Sequence, residues 1–221
     1  MCGKIATSRE HAPPRCLFPE AKDTSDGSNY RRNLITVPAC EEHNAAKSHD
    51  DEYLLFALAG SYTSSTIGLN QFLSKVRRAF KRQPIKASDF IERSIPVQLR
   101  RPDQNCWENG LQVHINVQRV DRVLDSCARA LYFHETGQKF RGPAQVLTQF
   151  TMYEPEEIQR NVTNAFTETE RVFASLPARG ENSDIFWYKF QESSATALFY
   201  FRFYKASAAM VRFRKILLAT Q

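Results

Sequence analysis

No stretch of this chain stays apolar for the ~18 to 20 residues that a membrane helix needs. Arg202, Lys205, Arg212 and Arg214 interrupt its most apolar segment. The N terminus lacks a secretory hydrophobic region, and the five cysteines, Cys2, Cys16, Cys40, Cys106 and Cys127, are an odd number. Together these absences argue against a disulfide framework and for a reducing compartment, so the expectation is a soluble, cytoplasmic protein with no membrane partner. Without a secretion signal, the Asn161-Val162-Thr163 triplet reads as chance and not as a glycan acceptor. Internal repeats and low-complexity tracts are missing too, and between Phe72 and Lys86 there is no acidic residue.

What is present is enough for a core. At 221 residues and 42% hydrophobic content the chain can fold as one domain or two, and two are expected, joined by a basic extension. The formal charge of +6 and a pI near 9.1 favour anionic partners, nucleic acid foremost, although a spread excess of this size is also common in proteins that bind nothing acidic.

Taken in order, residues 4 to 12 form a short strand ending at Glu10-His11, and Pro13-Pro14 forbid helix and fix an extended exit. A loop rich in Asp, Ser, Gly and Asn follows, then a second strand over residues 34 to 37 closed by Pro38. A helix runs from residue 40 to about 58, with Glu41 and Glu42 in its first turn where they suit the helix dipole. A second helix covers residues 69 to 82, where Phe72, Leu73, Val76, Ala79 and Phe80 recur at helical spacing. Its other faces carry Lys75, Arg77, Arg78, Lys81 and Arg82. These are either an ordinary solvated face or an arm that grips phosphates without choosing sequence.

Residues 94 to 109, rich in Pro, Arg, Asp and Asn, read as a linker, and alternation over 111 to 117 as a half-buried strand. A helix over 120 to 134 stops near Gly137, a strand lies within 143 to 152, and Pro155 opens a helix reaching about residue 176. Two aromatic strands, 185 to 190 and 197 to 204, and a last strand or helix over 209 to 218 close the chain. The expected class is α+β: a strand-strand-helix unit over 1 to 58, a helical extension and linker over 59 to 106, and an α+β domain with an antiparallel sheet over 107 to 221. His114 and His134 read as surface or capping residues, and the Phe and Tyr cluster from Phe186 to Phe203 as core.

The chemistry concentrates near the N terminus. Phosphodiester hydrolysis needs a deprotonated water, a Lewis acid on the phosphate oxygens and help for the leaving oxygen. A histidine of near-neutral pKa can take the water's proton, and a carboxylate with an amide or imidazole can hold the metal. Glu10 and His11 are strand neighbours and point to opposite sides unless the backbone bends, for which the double proline and the long loop give a means.

Glu10-His11 followed by Pro14, Asn33-Leu34 opening a strand, and Asn44 followed by Lys47 resemble the HNH endonuclease family, whose ββα-metal fold has the same element order. The resemblance spans residues 1 to 58. It implies His11 as general base, Glu10 and Asn44 as ligands of one catalytic divalent metal, Mg²⁺ or Mn²⁺, and Asn33 bracing the loop that carries His11 through side-chain hydrogen bonds. Lys47 would face phosphate or cap the motif. Family members also carry a structural Zn²⁺ held by two Cys-x-x-Cys pairs. Here the second pair is Cys40 and His43, a set that suits tetrahedral zinc, and the first is represented only by Cys2, whose partner would fall before Met1.

The expected function is therefore a metal-dependent endonuclease that hydrolyses phosphodiester bonds of nucleic acid, DNA first, and the resemblance implies a role in bacterial defence. One alternative is a non-catalytic nucleic-acid-binding module on a degenerate zinc-binding ββα element. The other is an interaction protein that forms a homodimer through its C-terminal domain.

Overall fold

The first two strands, β1 (Ser8–His11) and β2 (Thr36–Ala39), pair antiparallel with His11 opposite Thr36 and Ser8 opposite Ala39. The structure is a computed structural model that describes residues 5–24, 26–82, 93–100 and 106–215, except for the side chains of residues 43, 45 and 46. The second strand starts two residues later than the sequence suggests and includes Pro38. Asn33 takes a left-handed turn at φ 52°, which delays the ladder. Pro38 is tolerated because each strand of a two-stranded ribbon has an open edge where no N–H is needed.

Helix α1 (Glu41–Ala59) follows directly, with Cys40 at its N-cap and Glu41 and Glu42 in its first turn. Its first three turns are polar, and its last two bury Tyr53, Leu54, Leu55, Ala57, Leu58 and Ala59. One end of this helix is therefore anchored in the core, and the other is left with charges to place.

Helix α2 (Thr66–Gln71) passes through a π-turn at Phe72–Val76 into α3 (Arg77–Arg82). Gly68 allows the close approach of α2 to Tyr204, since a Cβ there would lie 3.1 Å from that ring. Residues expected as linker and as an alternating strand instead form a hairpin, β3 (Ile95–Arg100) with β4 (Trp107–Gln112). β4 ends at Gln112 because its partner begins at Ile95, opposite it. The chain then caps helix α4 (Val117–Thr136), with the Asn116 side chain accepting from the Arg119 amide at 3.2 Å. Gly137, left-handed at φ 70°, ends it.

Strand β5 (Ala144–Thr148), helix α5 (Glu156–Val172) and strands β6 (Phe186–Glu192), β7 (Thr196–Phe203) and β8 (Ser207–Arg214) complete the chain. The four strands make an antiparallel sheet in the order β5-β8-β7-β6. Alternation along β7 sends Ala197, Phe199, Phe201 and Phe203 to the face covered by α4, and Leu198 and Tyr200 to the face covered by Val162 and Phe166 of α5. Each fully buried Leu or Phe contributes ~1.5 to 3 kcal/mol, so both faces hold the sheet. The antiparallel α+β expectation agrees with this architecture.

The stripe Val120, Val123, Leu124, Cys127, Ala128 and Leu131 makes α4 the hinge of the packing, with the sheet on one side and α1 and β2 on the other. The buried cluster built on it runs from Ala12, Leu17 and Val37 through Leu54 and Leu58 to Phe199 and Phe213. The described parts of the stretches expected as two domains, 5 to 58 and 107 to 215, thus share one apolar core. Polar contacts reinforce the junction: the Tyr53 hydroxyl accepts the Asn116 amide at 2.7 Å, Asp50 pairs with Arg119 at 2.6 Å and Arg122 at 3.0 Å, and the Tyr204 hydroxyl donates to the Leu17 carbonyl at 2.6 Å. Among the described residues no helix is long and apolar enough to cross a membrane.

Candidate functional site

Strand alternation sorts the residues of β1. Ser8 and Glu10 face α1, where Asn44 Nδ2 lies 3.5 Å from Ser8 Oγ and 3.4 Å from the Arg9 carbonyl, and the Lys47 ammonium pairs with the Glu10 carboxylate. Arg9 faces the other way, with its Nε and Nη2 donating to Thr36 Oγ1 at 2.9 and 2.7 Å. By the same alternation His11 shares Arg9's face, opposite Thr36. The structure thus brings Glu10 and Asn44 to one side of the ribbon and places His11, half-buried, at the strand's end on the other.

Lys47 is the centre of a half-buried ionic group. It contacts Glu10 and, at 3.6 Å, Asp51 one turn along the helix, and its side chain is only 13% exposed. Burial alone would lower the pKa of this ammonium, but the charges of Asp51 and Glu10 outweigh it and hold it above the ordinary lysine value. Burial pushes the Asp51 carboxyl up to about 6, Lys47 pulling against it. Asp51 Oδ1 has no hydrogen bond among the described residues, since its lysine stands at ion-pair and not hydrogen-bond distance. The buried thiol of Cys127 on α4 lies within reach of these charges, and burial raises it far above the ordinary thiol range. The Cys16 thiol, which donates to the Asp51 carbonyl at 3.3 Å, is pushed up to about 12 by burial and then by Asp51, so both cysteines are inert at neutral pH.

Around His11 the charge balance is reversed. Burial lowers the imidazole pKa from 6.5, Arg15, Arg31 and Arg9 lower it further, and Glu10 opposes them. Arg15 is exposed and opens a short 3-10 turn (Arg15–Leu17) just after Pro13-Pro14. Arg31 is fixed by its Nε to the Phe18 carbonyl at 3.0 Å and by Glu20 at 3.2 Å. At neutral pH the ring is the uncharged base. The sequence reading missed these arginines, although Arg9 and Arg15 flank the Glu-His pair and were a signal; Arg31 comes from beyond the long loop and was not.

Asn33 differs from expectation. It is exposed and its side chain makes no hydrogen bond among the described residues; its contribution is the left-handed backbone turn, which Asn tolerates better than most residues. The loop after His11 is held instead by the Ala12 amide donating to the Ile35 carbonyl at 3.0 Å. Cys40 is buried at the head of α1, while Cys2 and the His43 side chain lie outside the described residues. Among the described residues no group of three or more His, Cys, Asp or Glu is placed to hold a metal.

The basic helix is divided. Lys75 donates to the Cys16 carbonyl at 3.0 Å, and burial lowers its pKa. Arg78 makes two hydrogen bonds of 2.8 Å to Asp23, which hold that carboxyl below its usual range. Arg77, Lys81 and Arg82 are exposed. Two of the five cations thus fix the loop that follows Pro14, and three are left for solvent or a partner. His49, His114 and His134 are exposed.

A divalent ion would need oxygen donors on one face. Glu10 Oε2 and Asn44 Oδ1 have no hydrogen-bond partner among the described residues, and hard oxygen donors of this kind suit Mg²⁺ or Mn²⁺, which keep several waters. Both oxygens are of the type such an ion takes, although the Glu10 carboxylate already pairs with Lys47. Compared with protein-family models, curated proteins and solved structures, the chain matches none of them.

Proposed function

We propose that the protein hydrolyses phosphodiester bonds of nucleic acid, DNA first, with His11 as general base and one divalent metal held by Glu10 and Asn44. The observation that carries this reading is the imidazole at the end of β1 among arginines; Glu10 and Asn44 lie across the ribbon from it, with two oxygens that have no hydrogen-bond partner among the described residues, so base and metal could act on one phosphate only around the strand's end. His11 in its uncharged form can take a proton from water at neutral pH. Bound at Glu10 and Asn44, Mg²⁺ or Mn²⁺ would supply Lewis-acid stabilisation of the phosphate oxygens. Lys47 holds the Glu10 carboxylate toward α1 and so fixes the direction of its second oxygen. Arg77, Lys81 and Arg82 would add salt-sensitive affinity to the phosphate backbone. A structural Zn²⁺ at Cys40, with Cys2 and His43, is a separate proposal, checked by the metal content of purified wild-type and Cys40→Ser protein.

The test is plasmid nicking with Mg²⁺, Mn²⁺, Ni²⁺ or Zn²⁺. Nicking that disappears in His11→Ala is the expected result. Intact DNA and RNA with all four ions ends the proposal. The engagement of Glu10 by Lys47 favours a second reading, a binding module in which the strand-strand-helix unit serves folding alone. That module binds DNA with a steep salt dependence that His11→Ala leaves unchanged, and it cuts nothing.

A further inference from the structure

We infer that the face of β1 carrying Arg9 and His11 is a phosphate-binding site that needs no metal ion, with Arg9, Arg15 and Arg31 as its cations and Thr36 as the residue that positions Arg9. It would take the phosphodiester of a nucleic acid. The inference rests on the nuclease reading for the source of that phosphate, and not for its being bound.

Two N–H groups of Arg9 converge on Thr36 Oγ1, at 2.9 and 2.7 Å, and Thr36 is the register partner of His11. The guanidinium is therefore drawn along the ribbon toward the residue opposite His11, with Nη1 having no partner among the described residues. A neutral hydroxyl orients this cation without neutralising it, which is unlike the treatment of Arg78, Arg119 and Arg122, each tied to an aspartate. Arg15 makes no hydrogen bond or ion pair among the described residues, yet the turn after Pro14 brings its charge to bear on His11. The charge of Arg31, anchored by the Phe18 carbonyl and Glu20 at the far end of the long loop, acts on the same ring. Of the carboxylates nearby, Glu10 lies on the opposite face with Lys47, and Glu20 is shared between Lys22 and Arg31. Cations thus outnumber anions around His11, and guanidinium groups match phosphate oxygens through paired N–H donors.

The experiment is calorimetry of the full chain in EDTA, titrated with thymidylyl-thymidine and, separately, with inorganic phosphate, against chloride of equal ionic strength. Amide NMR shifts at residues 9 to 15 locate the site. The dinucleotide is expected to bind, with Arg9→Ala and Arg15→Gln each weakening it roughly tenfold or more, as charge-assisted hydrogen bonds to phosphate would. Thr36→Val should weaken it less, and Arg9→Lys should restore part of the loss. Both arginines are exposed, and unchanged near-ultraviolet circular dichroism confirms that the variants fold. Equal binding by wild type and Arg9→Ala, binding only when metal is added, or binding of inorganic phosphate alone each overturns the inference. Cleavage that persists beside unchanged binding in Arg9→Ala overturns it and spares the nuclease reading. Arginine-dependent binding with no cleavage under any metal does the reverse.

Discussion

The strand-strand-helix unit and the C-terminal sheet treat charge in opposite ways. Around the sheet each buried tyrosine hydroxyl near a carboxylate belongs to a closed set: Tyr132 with Glu192 and Lys215, Tyr188 with Glu135 and Arg179, Tyr200 with Glu170 and Arg202. Every such carboxylate has a donor and a cation, and the interior is stacked aromatics such as Phe140 on Phe213 at 4.3 Å and Phe190 on Phe199 at 4.6 Å. In the N-terminal unit the books do not balance. Two carboxylates share one lysine, an Asp51 oxygen has no hydrogen bond among the described residues, and cations gather at His11 with little to oppose them. Such an arrangement leaves charge only partly compensated within the fold, which is why it marks a candidate for function where the sheet marks scaffold.

The sharpest way to break this contrast is to exchange the effects of one substitution in each region. His11→Ala should reduce cleavage by ~10²- to 10⁴-fold while shifting the urea midpoint little. Phe201→Ala, in the fully buried face of β7, should cost ~3 to 5 kcal/mol of stability and act on cleavage only through unfolding. A His11 variant that unfolds, or a Phe201 variant of normal stability, would erase the distinction.

Lys47→Met probes the ionic group itself. It leaves Glu10 and Asp51 half-buried without their shared cation, with an expected loss of about 3 kcal/mol at pH 8. The folded-state pKa of Asp51 is raised, from 3.8 to about 6, so its ionised form weakens the fold. That penalty is absent below pH 3.8, grows as pH rises towards 6, and is complete above it. Without Lys47 the carboxyl is raised further, so denaturation at pH 5 should show a smaller loss than at pH 8. Equal losses would show that Asp51 is not the group responsible.

A smaller effect is expected at the arginines. Arg15→Gln removes the largest single charge that lowers the His11 pKa, so the acid limb of the cleavage profile should move to higher pH, towards 6.5, by less than about one pH unit. An unmoved limb would mean that His11 is not the base. Smallest of all in stability, Arg77, Lys81 and Arg82 changed together to Ser should leave the fold intact. The change should lower the salt slope of DNA binding by roughly 0.9 for each side chain that had contacted a phosphate.

Much of the scaffold is legible in the chain because burial leaves a period. The stripe from Val120 to Leu131 declares α4, and the aromatic alternation of residues 197 to 203 declares β7, since each has a face that must be dry. The β3–β4 hairpin hides for the converse reason. Ile95, Trp107 and Leu111 are all more than half exposed, so no buried face imposes a pattern, and its Pro, Arg and Asn content imitates a linker. The alternation over residues 111 to 117 misleads because a strand also needs a partner, and β3 supplies none beyond Gln112.

By itself, the sequence determined the order strand, loop, strand, helix at the N terminus and the stop at Gly137. These follow from local backbone preference and from side-chain period, which need only near neighbours. Tertiary structure alone decided which charges are consumed. It set Lys47 against Glu10 and Asp51, tied Asp50 to α4, spent Lys75 and Arg78 on the loop after Pro14, and turned Arg9 onto Thr36 beside His11. A charge acts on whatever lies within a few ångströms once the chain is packed, at any separation in sequence, and that is the information a linear pattern does not carry.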